Sequence, residues 1–321
     1  MDAAHDDIYS RSAGLIENDA LMKKRVLVIG LGSFGSVIAV DLAKAAVGSF
    51  ALMDFDRLER HNVVRHACYL QDVGRLKADA VADLVLGKNP YATVDKFPVD
   101  MNEDLDLLAR EIDRADLVIC ATDNNTSRFN LSRLLVSHPK TCLFGRAVTR
   151  AEGGDVFRAR PGGACYCCLI GNKWFDAATE EITDKASARR SGRIAAYVSE
   201  EDADAMVQVG LASDIEPITN MMTKLALVEL SRGTNAGISA LEQELVYDYY
   251  MWANRRERRH RNWSSFADCA NRPTILRWYG AHIARNEKCA LCGAADEIAL
   301  DEGDDVEAQL GAMGGDADDA K

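Results

Sequence analysis

The chain has 321 residues, 48% of them apolar, and a formal net charge of −12, which allows one large domain or two smaller ones with a substantial core. No run of eighteen apolar residues occurs, so no transmembrane helix is expected; the opening MDAAHDDIYSRS lacks the apolar centre of a secretory signal, so a cytoplasmic protein is expected. Residues 293–321 hold ten acids and one lysine, a net of −9, and −12 less −9 leaves −3 for the rest. That tail has no aromatic residue and is expected to be disordered. The folded part is nearly neutral, so neither nucleic acid nor membrane is an expected partner.

Residues 1–22 read as a helical or irregular arm. Residues 23–171 then carry the pattern on which the chain is organised. VLVI (26–29) is a short apolar run bounded by glycine, a buried strand by pattern. Gly30, Gly32 and Gly35 follow at G-x-G-x-x-G spacing, residues 36–46 have helical periodicity, and FALM (50–53) is a second apolar run ending on Asp54. The order is strand, tight turn, helix, strand, acid. Glycines let the backbone approach a phosphate, and a helix N-terminus offers unpaired N–H groups and a partial positive charge. An acid after the second strand can accept hydrogen bonds from ribose hydroxyls. A turn serving only helix–strand packing would not account for that acid.

Residues 57–72 are polar, and 74–86 read as an amphipathic helix carrying Lys77. A strand is expected over 93–99, at an edge because of Pro98. Helices are expected over 103–113 and 125–135, strands over 116–121 and 141–145. The alternation predicts a mostly parallel sheet with helices on both faces. Residues 152–160 read as an extended return segment and 172–205 as a mobile charged excursion. Residues 206–292 read as the rest of the same domain, with a helix over 217–230 started by Pro217 and an aromatic strand over 244–252. RRERRHR (255–261) reads as a solvated basic face, a partner for the acidic tail, or a docking surface for an acidic protein.

The nine cysteines include two C-x-x-C pairs, Cys165 with Cys168 and Cys289 with Cys292. In a cytosolic chain, two such pairs predict four thiolates around a structural zinc ion. A redox pair would account for one of them and not for two. Cys120 and Cys142 lie in apolar runs and read as core.

In an open parallel sheet, ligands bind beyond the C-terminal ends of the strands. The glycine loop, Asp54 and Asp123 all fall there. Arg65 and Lys77 are candidates to neutralise phosphate charge, and a carboxylate such as Asp123 beside phosphates suggests a bound magnesium ion.

GLGSFGS (30–36), DFD (54–56), Asn62-x-x-Arg65, GRLK ending on Lys77, TDNNTSR (122–128), CYCC (165–168) and CALC (289–292) together resemble the ThiF/MoeB/E1-like adenylyltransferases. These enzymes activate ubiquitin-like and sulfur-carrier proteins. The resemblance covers about residues 9–171 and 206–292. It implies a Rossmann-like α/β fold with a C-terminal zinc-stapled extension. It also implies an ATP site made of Gly30, Gly32, Ser33, Gly35, Asp54, Asp56, Asn62, Arg65, Lys77, Asp123 and Asn124.

In that likeness Asp54 is the ribose acid, Asn62, Arg65 and Lys77 contact the ATP phosphates, and Asp123 holds Mg2+. Tyr9-Ser10-Arg11 resembles an arm whose arginine reaches the partner subunit's ATP in a homodimer. Arg11, Arg65, Lys77 and Asp123 are thus the implied catalytic set, and Cys165, Cys168, Cys289 and Cys292 the implied Zn2+ ligands. The implied reaction joins the C-terminal glycine carboxylate of a ubiquitin-like (β-grasp) or sulfur-carrier protein to the α-phosphate of ATP, with an E2-like protein as a further partner where conjugation follows.

The chain departs from that pattern in places. Ser33 replaces a loop glycine, and Asn220 and Thr223 replace small helix residues. No cysteine occurs in 172–216, where thioester-forming members carry one, which leaves Cys68, Cys167 and Cys269 as spare thiols. The other classes open to the sequence are an NAD-dependent oxidoreductase on the same nucleotide loop and a catalytically silent scaffold for a ubiquitin-like protein.

Overall fold

The structure, a computed structural model, describes residues 8–171, 210–255 and 275–293. The excursion at 172–205, Cys269, most of the basic run and the acidic tail lie outside these residues. One eight-stranded sheet runs through the described residues in the order β3–β2–β1–β4–β5–β6–β7–β8. The strands are β1 (Arg25–Ile29), β2 (Ser49–Met53), β3 (Thr93–Phe97), β4 (Leu117–Cys120), β5 (Cys142–Ala147), β6 (Gly153–Ala159), β7 (Tyr249–Ala253) and β8 (Arg277–Ala281). The first five are parallel, and β6, β7 and β8 extend the sheet antiparallel.

The helices are α1 (Asn18–Leu21), α2 (Gly35–Lys44), α3 (Lys77–Lys88), α4 (Leu105–Arg114), α5 (Asn125–Ser137), α6 (Tyr166–Ile170) and α7 (Ala212–Leu230). Strand alternation distributes them over two faces. Val26 and Val28 of β1 share a core with Ile38 of α2, Val81 of α3 and Leu225 of α7. Leu27 and Ile29 share the opposite core with Leu108 and Ile112 of α4 and Leu131 of α5. A strand buried on both faces carries a continuous apolar run, which is why β1, β2 and β4 are readable from sequence. Cys120 and Cys142 are core residues, as expected. Among the described residues no helix is long and apolar enough to cross a membrane.

The second half corrects three expectations. Pro217 is not at the start of α7 but is its sixth residue. There, in the second turn, it forgoes the one backbone bond that an N–H at this position would give to the Ser213 carbonyl. β7 begins at Tyr249, because residues Gly237–Gln243 form a 3-10 helix and the Leu245 and Tyr247 carbonyls turn instead to the Arg158 guanidinium, at 2.6 and 2.7 Å. β8 has no counterpart in the expected strands.

α7 lies close over the sheet where the strands carry glycine. A Cβ on Gly145 would sit 2.1 Å from the Met222 sulfur, and one on Gly154 would sit 2.1 Å from Ile218 Cδ1. Every residue of β6 is buried, including Asp155 and Arg158. Both charges are paired: Asp155 with Arg146 at 2.6 Å, Arg158 with Glu229 of α7 at 3.1 Å. Glu229 also receives Arg160 at 2.6 Å and Arg232 at 3.0 Å. Removing one member of a buried pair leaves the other charge uncompensated. Glu229→Ala is therefore expected to lower stability by about 3–5 kcal/mol, read as a shifted urea midpoint with an unchanged slope.

Candidate functional site

The site begins where β1 ends. Gly30 N–H donates to the Met53 carbonyl at 2.9 Å, and Ala121 N–H donates to the Ile29 carbonyl at 2.8 Å. The chain therefore leaves β1 between the ends of β2 and β4. Gly30 has φ +81°, and a Cβ there would lie 2.8 Å from the Ala121 carbonyl oxygen. Gly35 opens α2 so close to the loop that a Cβ would fall 1.9 Å from the Gly30 oxygen. Gly32 differs from both, because a Cβ there would meet nothing within 4 Å. The protein's own packing does not require that glycine. What its missing side chain leaves is open space on the cleft, beside the N-terminus of α2, where a phosphate group fits.

The polar stretch after β2 is bolted onto this loop. Asp54 is buried, and its two oxygens accept N–H groups from Leu31 at 2.6 Å and Asp56 at 2.8 Å. Burial raises its pKa, opposed by Lys77 and by those two N–H groups. An ionised carboxylate has about four acceptor positions, so lone pairs remain for a ribose. His66 was not singled out by sequence. Its Nδ1 accepts the Cys68 N–H at 3.0 Å, so Nε2 carries the proton and donates to the Leu31 carbonyl at 2.6 Å. Ser36 Oγ donates to the Gly32 carbonyl at 2.6 Å and accepts the Ala67 N–H at 3.2 Å. The glycine loop is thus held by side chains from both flanking segments.

The cations come from this stretch and the helix after it. Lys77, the first residue of α3, is buried, and its ammonium lies 2.6 Å from an Asp56 oxygen. Burial alone would lower its pKa, but the fields of Asp54, Asp56 and Asp123 outweigh it and raise the net value, so it stays charged. Burial lowers the Arg65 pKa, and the neighbouring Asp123 opposes this. Asn62 closes a short 3-10 helix, with its Oδ1 accepting the Glu59 N–H at 2.9 Å. Asn124 caps α5 through the Ser127 N–H at 2.7 Å.

Gly30, Gly32, Ser33, Asp54, Asp56, Asn62, Arg65, Lys77, Asp123 and Asn124 all border one open cleft. Gly35 packs beneath it. Arg11 does not border it. The Tyr9 hydroxyl donates to the Ala43 carbonyl at 3.1 Å, which holds the arm at the far end of α2, about 12 Å from Gly35 by helical rise. The cleft also takes His66, Asp100, Ser127, Arg128 and Arg146, none of which carried a distinct sequence signal as a ligand residue.

The four paired cysteines converge away from the cleft. Their sulfurs all lie within 4.8 Å of one another, with Cys165–Cys168, Cys165–Cys289 and Cys168–Cys292 at 3.7, 3.6 and 3.4 Å. A tetrahedron of Zn–S bonds of about 2.3 Å has edges of about 3.8 Å, so this set could hold zinc. The spare thiols fare differently. Cys68 and Cys167 are buried, and burial pushes the Cys68 thiol up to about 12. Neither is an available nucleophile.

The ThiF family model matches residues 8–258. The chain belongs to the ThiF family. It is 31% identical over 176 residues to the SAMP-activating enzyme E1 of Haloferax volcanii, covering 53% of this chain and 64% of that protein. It is 35% identical over 153 residues to the molybdopterin-synthase adenylyltransferase of Escherichia coli K12, covering 47% and 60%. The matches thus span less than two thirds of each relative's length. A crystal structure of Escherichia coli MccB with ATP superposes with a TM-score of 0.59 at 14% identity, over 86% of this chain and 68% of that one. At that identity the likeness shows the fold alone.

In this ThiF-family chain, His66 couples loop integrity to pH. Burial lowers its pKa to about 4, against about 6.5 when unfolded. Between those values the unfolded chain binds the extra proton, so stability falls as pH drops from about 6.5 to about 4, by up to about 3 kcal/mol from this group. His66→Ala is expected to be less stable than wild type at pH 7 and to lose less on acidification. Urea unfolding of both at pH 7 and pH 4.5 checks this, and a gap that does not narrow at the lower pH contradicts it.

Proposed function

We propose that the chain uses ATP to adenylate the C-terminal glycine carboxylate of a ubiquitin-like or sulfur-carrier protein of β-grasp fold. The observation that carries this reading is the gathering of Gly32, Asp54, Asn62, Arg65, Lys77 and Asp123 around one cleft at the point where strand order reverses, between β1 and β4. The curated relatives, an E1 and a molybdopterin-synthase adenylyltransferase, support it. A nicotinamide oxidoreductase would leave Arg65, Lys77 and Asp123 idle, and a silent scaffold would not account for the complete set.

The chemistry fits a site rich in fixed cations. A carboxylate nucleophile is already ionised at neutral pH, and pyrophosphate departs as an anion. The carboxylate oxygen forms a bond to the α-phosphorus as the bond to the bridging oxygen of pyrophosphate breaks. No general base is needed, and His66 is unsuited to be one, since both its nitrogens are engaged. The work is positioning and charge neutralisation. In this reading Asp54 orients the ribose, while Asn62, Arg65, Lys77 and the α2 N-terminus hold the phosphates. Asp123, a carboxylate facing the same cleft, fits a magnesium ion, which would neutralise charge on the phosphates. Of the spare thiols among the described residues, Cys68 and Cys167 are buried and so poorly placed to receive the acyl group.

Asp123→Ala is expected to lower ATP–pyrophosphate exchange, run with the β-grasp protein as acceptor, by on the order of 10²–10³ or more at saturating ATP. Asp54→Ala should mainly raise the ATP KM, because ribose contacts are alike in ground and transition states. Retention of more than a tenth of wild-type exchange by Asp123→Ala would remove the reading's main support. The four-cysteine cluster is read as structural zinc, joining residues 165–168 to 289–292. Metal analysis should find one equivalent per chain, and less than half an equivalent with all nine thiols reactive would contradict that. The arm is read as reaching a second subunit of a homodimer. Mixing Arg11→Ala with Asp123→Ala chains should then restore activity in hybrid dimers, and no recovery despite verified exchange would count against it.

A further inference from the structure

The cleft extends beyond the groups given a role above, to a wall with its own polar network. Past β3 the chain turns through Val99, Asp100 and Met101, all bordering the cleft, and Met53 from the end of β2 borders it too. This wall is apolar except for one fixed carboxylate. Asp100 Oδ1 accepts both the backbone N–H of Asn102 at 2.8 Å and its side-chain amide at 2.9 Å. The same amide nitrogen reaches Ser127 Oγ at 3.0 Å, and Asn102 Oδ1 accepts the Asn130 amide at 2.8 Å. One amide thus ties together Asp100 and Ser127, two groups that border the cleft, and fixes the carboxylate at its wall. Both donors to Asp100 arrive at Oδ1. Oδ2 accepts no hydrogen bond from any described residue.

Met53, Val99 and Met101 give this wall an apolar surface in the same cleft as Asp54, which suits the face of a purine. The single open oxygen limits which purine. A carboxylate reads the guanine edge by accepting from N1–H and the 2-amino group together, which takes both oxygens. Here one oxygen is occupied twice over, so only the other stays open, which suits one exocyclic amine better than a paired N1–H and 2-amino edge. We infer that Asp100 is the base-specificity residue of the nucleotide site, its Oδ2 accepting a hydrogen bond from the 6-amino group of adenine. This rests on the ATP reading given above and adds the means by which ATP is chosen over 6-oxopurine nucleotides. A purine with a carbonyl at position 6 presents lone pairs to the carboxylate, leaving both acceptors unpaired.

Titration calorimetry of the full chain with Mg·ATP and with Mg·ITP, which differ in the adenine amine, tests this directly. Wild type is expected to bind ATP about 10- to 100-fold more tightly than ITP, the range for a hydrogen bond to a charged group. Asp100→Asn keeps an oxygen for Asn102 and turns an amide donor to the base. It should weaken ATP, strengthen ITP, and close or reverse the gap. A residue that merely braces the turn would weaken both nucleotides alike. Equal binding of ATP and ITP by wild type overturns the inference whether or not the variant folds, as does a variant that loses both equally. If wild type binds neither ATP nor ITP, the nucleotide reading itself fails, and this inference with it.

Discussion

The chain leaves its first strand through a gap that admits only glycine. At Gly30 the backbone takes φ +81° with the Ala121 carbonyl where a side chain would begin. The flanking bonds, Gly30 to Met53 and Ala121 to Ile29, close the ends of β2, β1 and β4 around it. That constraint sets the rest of the site. It turns the loop over the strand ends, starts α2 against the loop at Gly35, and leaves Asp54 close enough to accept the Leu31 N–H. With a side chain at position 30, β1 and β4 would have to part where the sheet changes direction, and the cleft would lose its floor.

A second constraint is electrostatic. Three carboxylates, Asp54, Asp56 and Asp123, surround the buried Lys77, and Asp123 also faces Arg65. The opposed charges hold one another in place before any ligand arrives, which lowers the cost of orienting them later. A polyanionic ligand brings charge that competes for Lys77 and Arg65, and a cation on Asp123 would compensate the carboxylate. The site is thus arranged for charge exchange without side-chain rebuilding.

Within the parallel half, β1, β2 and β4 were legible because they are buried on both sides and announce themselves as VLVI, FALM and LVIC. The glycine spacing, Asp54, Lys77 and Asp123 were legible because their place relative to those strands follows from topology, and the two C-x-x-C pairs because metal geometry demands that spacing. The antiparallel half was harder to read. An extended segment is expected over 152–160 and β6 runs Gly153–Ala159, but its full burial is hidden by Asp155 and Arg158, whose partners Arg146 and Glu229 lie in other elements. β8, RWYGA, is short and half-exposed. His66 and Asp100 act through hydrogen bonds to neighbouring backbone and amides, which leave no periodic or spacing signal. The start of α7 is not marked in the sequence, because a proline in the second turn of a helix looks the same there as one that opens it.

The central claim is that this cleft directs a carboxylate to the α-phosphorus of ATP. It is tested most directly by incubating the chain with Mg·ATP and a β-grasp protein ending in glycine, then identifying what the nucleotide becomes. The account predicts pyrophosphate in solution and an adenylate on the protein's terminal carboxylate, seen by intact-mass spectrometry and lost when that carboxylate is amidated. Release of ADP and phosphate instead, or an adenylate that survives amidation of the terminus, would contradict it.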